Sequence, residues 1–429
     1  MKKIINSSNG KKLQKVGKNA TKIEKTKRTP ECNKGSRAGK AATKELMVEA
    51  QRQHRLGVQC LMQKLDLAQN EPKEAAPNDN AVYWIGIDLG DRKSNYCILD
   101  KNADIVAEGS LATTVTEFDL YFKAIPRSRI ALEVGTHSPW TSSLLEGLGH
   151  SVCVANPRKI GGGKKKRSRK NDKLDARMLA RLLKADPNLL YRIQHRGEKA
   201  RHALVLLRAR QAAVSARTKL ICAVRGLVKS DGKRLSRCSA DSFHKIERTE
   251  VPESLRDALE PLFKQIESLT EQIKGYDKEV KRMCKEAYPE TELLRQVDGV
   301  GAIVALAFIL TLDNPQRFAK SRDVGAYLGL IPRQYDSGDS HPQMRITKTG
   351  DRMLRALLVQ SAQYILGPFG KDSDLRRHGL KLAARGGKNA KKRAVTAVAR
   401  KLSVLLHSLW VTAEVYEPLR NSCPKVKVA

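Results

Sequence analysis

Residues Ala81 to Leu89 read AVYWIGIDL, an apolar run rich in β-branched and aromatic side chains that ends beside an aspartate. Such a run predicts a buried strand. Further short apolar segments follow at Ser94 to Leu99, Ile105 to Glu108, Ile130 to Val134 and Ser151 to Val154, with a turn at DKNAD and a helix around Trp140 to Leu148. A β-meander that passes into alternating strands and helices can bury both faces only as an α/β sheet. A helix is expected from Asp172 to Ala185, stopped by Pro187.

The character of the chain changes after that helix. From Lys199 to Glu290 the apolar spacing is purely helical. Leu255, Leu259, Leu262, Ile266, Leu269, Ile273, Tyr276, Val280 and Met283 alternate steps of four and three, a heptad seam. Pro261 suits a first helical turn, which starts the helix proper there. The seam needs a partner, either the helix at 199–228 or another subunit. Residues 292–417 form a further globular unit with a Gly-rich helix pair, a polar loop at 333–345 and strong helices at 351–366 and 390–413, separated by Gly386-Gly387.

Charge narrows the partners. The chain has 81 Lys and Arg against 45 Asp and Glu, a formal net charge of +36. That excess points to a polyanion, nucleic acid first. Residues 1–44 hold 12 Lys and 2 Arg against Glu24 and Glu31, which reads as a disordered basic arm, and residues 1–80 read as arm and linker. No apolar stretch long enough for a bilayer span and no secretory leader are recognised, so no membrane partner is expected. The eight Cys are scattered without a C-x-x-C pair, and the nine His lack metal-ligand spacing. An intracellular, reducing compartment fits that usage.

Four carboxylates stand out. Asp88 closes the first strand, Glu133 sits on a later one, and Asp172 and Asp175 share one helix face at a spacing of three. Gathered at one sheet edge they would repel unless divalent cations neutralised them, and hard oxygen ligands suit Mg²⁺, with Mn²⁺ as the alternative. Taken singly, Asp88 could merely end a strand and Asp172 cap a helix. Lys164, Lys165, Lys166, Arg167, Arg169 and Lys170 immediately precede the helical pair and could grip a phosphate backbone. Gly299 and Gly301, in VDGVG before an apolar helix, suit either a helix-hairpin-helix phosphate contact or tight helix packing. Ser337 lies in a polar loop, PRQYDSGDS, flanked by Arg333, Arg345 and Lys348; composition alone makes it a turn.

Two blocks carry a resemblance. YWIGIDLGDRKSNYCILD, ALEVGTHSPW, VANPRKIGGG and KNDKLDARMLARLL span about 83–190, and LLRQVDGVGAIVALAFILTL, FAKSRDVGAYLGLIPRQYDSGDS, RITKTGDRMLRALLVQSAQYIL and AVTAVARKLSVLL span about 293–406. In order and spacing they resemble the DEDD transposases of the insertion-sequence 110 family. The resemblance implies an α/β RNase H/RuvC-like domain at 81–195, whose Asp88, Glu133, Asp172 and Asp175 bind Mg²⁺. It further implies a long helical, coiled-coil region at 196–290 and a mainly α C-terminal transposase domain at 291–420. In that last domain a serine, matched by Ser337 with Ser340 as the fallback, attacks DNA. Relatives usually read Ser-Ser-Gly or Ser-Thr-Gly where this chain has Asp336-Ser337-Gly338, and HPQMRITKTGD departs from their Gly-Lys-rich form. The family is similar in using a structured non-coding bridge RNA to choose donor and target DNA. A homodimer or tetramer in the bacterial cytoplasm or nucleoid is the implied setting.

Three other readings remain open on sequence: a RuvC-like nuclease in which water attacks, a sugar kinase or ATPase, since GIDLG also opens that fold, and a non-catalytic nucleic-acid-binding protein. The kinase reading lacks a later Asp-Gly-Gly phosphate motif.

Overall fold

A computed structural model describes residues 81–160, 172–342 and 344–421. The basic arm, its linker and the Lys164–Lys170 run lie outside the described residues. The chain divides into two compact units, Met1–Gln194 and His195–Ala429.

The first unit is built on a five-stranded sheet of β1 (Trp84–Asp88), β2 (Lys93–Leu99), β3 (Ile105–Ala112), β4 (Arg129–Glu133) and β5 (Ser151–Ala155), in the spatial order β3-β2-β1-β4-β5. β1, β2 and β3 pair antiparallel, as the meander predicts, whereas β4 and β5 join parallel to β1 and to each other. The sheet is therefore mixed, and the parallel half needs crossovers, supplied by α1 (Val115–Lys123) and α2 (Ser138–Gly147). The short α3 (Pro157–Ile160) and then α4 (Asp172–Ala185) follow. α1 went unread in the sequence. Its signal is Thr114, whose side chain accepts from Glu117 N–H, before Phe118 and Phe122 one turn apart and buried.

Strand alternation sorts the two faces. Ile85, Ile87, Ile98, Ile130, Leu132, Val152 and Val154 pack with Phe118, Phe122 and Leu145 of α1 and α2. The opposite face carries small residues, Ala131 and Ala155, beneath Leu179 and Leu183 of α4, with Cys97 and Leu99 against Ala176 and Ala180. His150 is structural: Ser128 N–H donates to its Nδ1 at 3.3 Å, which leaves Nε2 to donate to Phe122 O at 3.0 Å.

In the second unit α5 (Glu198–Ser230) and α6 (Glu253–Glu286) form an antiparallel pair. Arg210 meets Asp277 at 2.5 Å and Arg217 meets Thr270 at 3.2 Å, so one partner rises by seven as the other falls by seven. The heptad residues Leu259, Ile266, Leu269, Ile273 and Val280 are buried, and Leu259 and Ile266 share a cluster with Val224 and Val228 of α5. The seam's partner is thus the helix of the same chain. One expectation is corrected: α6 begins at Glu253, with Pro261 inside it. The first turns are tied down from outside the helix, where Arg256 donates to Val251 O and Arg248 pairs with Glu260 at 2.6 Å. Those contacts offset the lost helical hydrogen bond.

The core of this unit surrounds α8 (Ala302–Leu312), buried throughout Ala305 to Leu312. It is enclosed by α5, α6, α7 (Thr291–Arg295), α10 (Arg352–Leu366) and α12 (Ala390–Thr412), with α9 (Arg322–Tyr327) near α12. A second correction concerns α11 (Asp374–Ala383), which stands between the two helices read from sequence and is capped by Ser373. By length and composition alone α12 is apolar enough to cross a bilayer, as core helices can be. Its Ala394, Val398, Leu402 and Leu406 are instead buried in this core.

Candidate functional site

The site begins with a glycine. Gly86 faces α4, and a Cβ added there would stand 2.1 Å from Ala176 O and 2.5 Å from Ala180 N. The α4 backbone therefore rests directly on β1. That contact fixes what lies on either side of it. Two residues on from Gly86, on the same strand face, is Asp88; one residue and one turn before Ala176 are Asp175 and Asp172. Carboxylate oxygens of Asp88, Asp172 and Asp175 come within 4.8 Å of one another. Alternation also places Glu133 on this face, at the end of β4 beside β1. Glu133 stands outside the 4.8 Å set.

Two anionic carboxylates at that separation repel by about 3 kcal/mol at a surface-like effective dielectric. The donor set is all carboxylate oxygen, half-buried at Asp88 and Asp175 and exposed at Asp172. Hard divalent cations that retain water in their shell suit such a set.

A bidentate ion pair anchors the helix that carries two of the acids. Arg177 Nη2 donates to Glu108 Oε2 at 2.6 Å, and its Nε donates to the other oxygen. The guanidinium holds the Glu108 carboxyl below its usual range. Burial, with Glu108 beside it, pushes the Cys97 thiol up to about 12, so that thiol is inert. After β4, Trp140 Nε1–H donates to His137 Nδ1 at 3.1 Å, and His137 Nε2 lies 3.7 Å from Asp91 Oδ1.

Ser337 belongs to the second unit and sits at the tip of a hairpin. Thr347 N–H donates to Ile331 O at 2.9 Å, Arg333 N–H to Arg345 O at 2.9 Å, and Ser337 and Ser340 exchange both backbone bonds at 3.2 and 3.0 Å. Gly329 and Gly350, both at positive φ, close its base; a Cβ at Gly329 would lie 2.3 Å from Thr349 N. Ser337, Ser340, Arg333, Arg345 and Lys348 are all exposed on this one hairpin, and Asp336 pairs with His341 at 3.2 Å. Gly299 has φ of 83°, and its Cβ would meet Tyr364 at 3.0 Å, so helix packing accounts for it. Gly301 precedes α8 and opens to space.

Family profiles match on both sides of the chain. A DEDD transposase profile of the IS110 type covers residues 85–230, and one described as Transposase IS116/IS110/IS902 family covers 291–373. Together they span more than half of the sequence. The chain belongs to the IS110/IS116 family of insertion-sequence transposases. Among its relatives, the transposase for insertion sequence element IS1111A of Coxiella burnetii is 28% identical over 63% of this chain and 74% of its own length. That for IS1328 of Yersinia enterocolitica is 28% identical over 66% and 83%. A probable family 20 transposase of Pseudomonas aeruginosa is 25% identical over 78% and 98%. Membership implies a DNA-acting enzyme that depends on a divalent metal, and the acid cluster fits that requirement.

Of the family's site residues expected in this chain, Asp88, Asp172 and Asp175 are brought together, Glu133 is on the same face, and Ser337 lies in the other unit. Sequence reasoning missed Gly86, Arg177 and Glu108. The signal for Gly86 was present: a lone glycine inside a strand marks a close backbone approach.

Proposed function

We propose that this transposase cuts and exchanges DNA strands by metal-assisted phosphoryl transfer. The observation that carries the reading is the convergence of Asp88, Asp172 and Asp175. These residues, with Glu133, would hold Mg²⁺ or Mn²⁺. A bound pair of such ions polarises the scissile phosphate and stabilises attacking and leaving oxygens. The sheet order and the position of α4 over β1 support an RNase H/RuvC-like domain.

Ser337 is the nucleophile in this reading. Its Oγ gives up its proton to solvent as it bonds to phosphorus, the bond to the 3′-oxygen breaks, and the leaving oxygen takes a proton in turn. The transient phosphoserine conserves bond energy, so attack by a 3′-hydroxyl reverses the step without an external energy source. Exposure at a hairpin tip amid Arg333, Arg345 and Lys348 favours access to a phosphate backbone. The serine and the acid cluster are carried on separate units, and a homodimer or tetramer is the assembly in this reading. A structured bridge RNA selects donor and target, while the net charge of +36 grips backbones.

The test is cleavage of supercoiled donor DNA with Mg²⁺, followed by denaturing electrophoresis. Wild type should leave a covalent protein–DNA adduct that Ser337→Ala abolishes. Asp88→Asn should lose cleavage while retaining DNA. Cleavage by Ser337→Ala without an adduct would establish the water-attack nuclease instead. Sequencing RNA that co-purifies should return one structured species; bulk ribosomal RNA would remove the guide from the reading.

A further inference from the structure

From Leu375 to Ala413 the chain carries ten Lys and Arg residues and no Asp or Glu. A generally basic composition does not account for this, because α6 interleaves eight acids with seven bases. Three of the ten serve the fold. Arg376 Nη1 donates to Ile365 O and Gly367 O at 2.5 and 2.7 Å, Arg377 pairs with Asp372 at 2.6 Å, and Arg400 covers Gly325.

The other seven are exposed and have no acid within ion-pair distance among the described residues. They lie along two packed helices, α11 and α12, and the turn between them. Burial opposes protonation of His378, and Lys401, Arg385 and Lys381 are near enough to add to it. Lys388, Lys391, Lys392 and Arg393 surround the Gly386-Gly387 turn, where Arg393 Nη2 would lie 3.8 Å from a Cβ at Gly387. Uncompensated like charges held together on two packed helices cost stability, and a polyanion relieves that cost.

We propose that this basic surface, from Lys381 to Lys401, docks the sugar–phosphate backbone of duplex DNA. The segment contains no aromatic side chain. Single strands and RNA loops are gripped largely by stacking bases on aromatics, whereas a duplex backbone asks only for cations. Contact here is independent of DNA sequence and uses none of the acid-cluster or serine-hairpin residues. Only the choice of DNA rests on the function proposed above.

The test uses the full chain with Lys388, Lys391, Lys392 and Arg393 all changed to Ala. Binding to an arbitrary duplex of about 30 base pairs and to an RNA hairpin of equal phosphate count is followed against salt. For the duplex, affinity near 0.1 M salt should fall by about tenfold or more, and the log–log salt slope should flatten by about three to four, at about 0.9 for each lost phosphate contact. A charge-preserving set, with the three Lys changed to Arg and Arg393→Lys, should bind as wild type. An unchanged duplex slope, a larger loss on RNA than on duplex, or failure of the charge-preserving set would each overturn the proposal. Asp88→Asn run alongside should hold the duplex normally, so its cleavage result bears on the catalytic reading alone.

Discussion

Gly86 is the residue on which the acid cluster depends. Any side chain there collides with the Ala176 carbonyl oxygen, and backbone cannot step aside as a flexible side chain can. Gly86→Val should therefore lift α4 and disperse the aspartates, with cleavage lost by about a hundredfold or more, comparable to removing a preorganised electrostatic group. Stabilisation of the protein by Mn²⁺ in thermal unfolding should vanish with it. Glu108 gives a second test. Its carboxyl titrates below its ordinary value because Arg177 holds it. A depressed folded-state value means that the pair stabilises above the unfolded value of about 4.3 and that this contribution is lost as pH falls through the folded one. Urea unfolding should show Glu108→Gln less stable at neutral pH, with the difference shrinking toward pH 3. Asp88, Asp172 and Asp175 were legible in the sequence because strand end and helix turn dictate where a side chain points. The Arg177–Glu108 pair was not, since it joins residues 69 apart through a register that only the folded sheet defines.

Among elements, α6 shows how packing overrides local preference. Proline in a helix interior costs about 3 kcal/mol, yet helix continues on both sides of Pro261. Leu259 and Phe263 are buried on either side of it, and their burial exceeds that cost. Pro261→Ala should accordingly stabilise the protein by about 1–3 kcal/mol, read as a raised denaturation midpoint. Ile266→Ala, at a fully buried seam position, should cost about 2–5 kcal/mol. The seam itself was plain from its spacing. The partner was not, because periodicity says that a helix needs covering and is silent on which helix covers it. α11 escaped notice for a related reason: it is short and flanked by Gly370 and Gly386, so its two buried positions, Leu375 and Gly379, fall below any periodic signal.

At the scale of the molecule, the two units have separate cores. The small-sided sheet face under α4 belongs to one, and the apolar α8 with its ring of helices to the other. Calorimetry on the full chain should resolve two transitions, and Gly86→Val should shift one while leaving the other in place; a single transition moved as a whole would contradict the division. The α/β class of the first unit followed from alternation of strands and helices. The sheet's mixed direction did not, since strand patterns carry no sign of parallel or antiparallel pairing.

The seat of α4 on Gly86 has one more consequence. Because main-chain atoms meet main-chain atoms, the gap between strand and helix is a fixed gauge and does not yield to whatever enters it. The spacing of the three aspartates that strand and helix carry past that contact is therefore set by a residue that has no side chain at all.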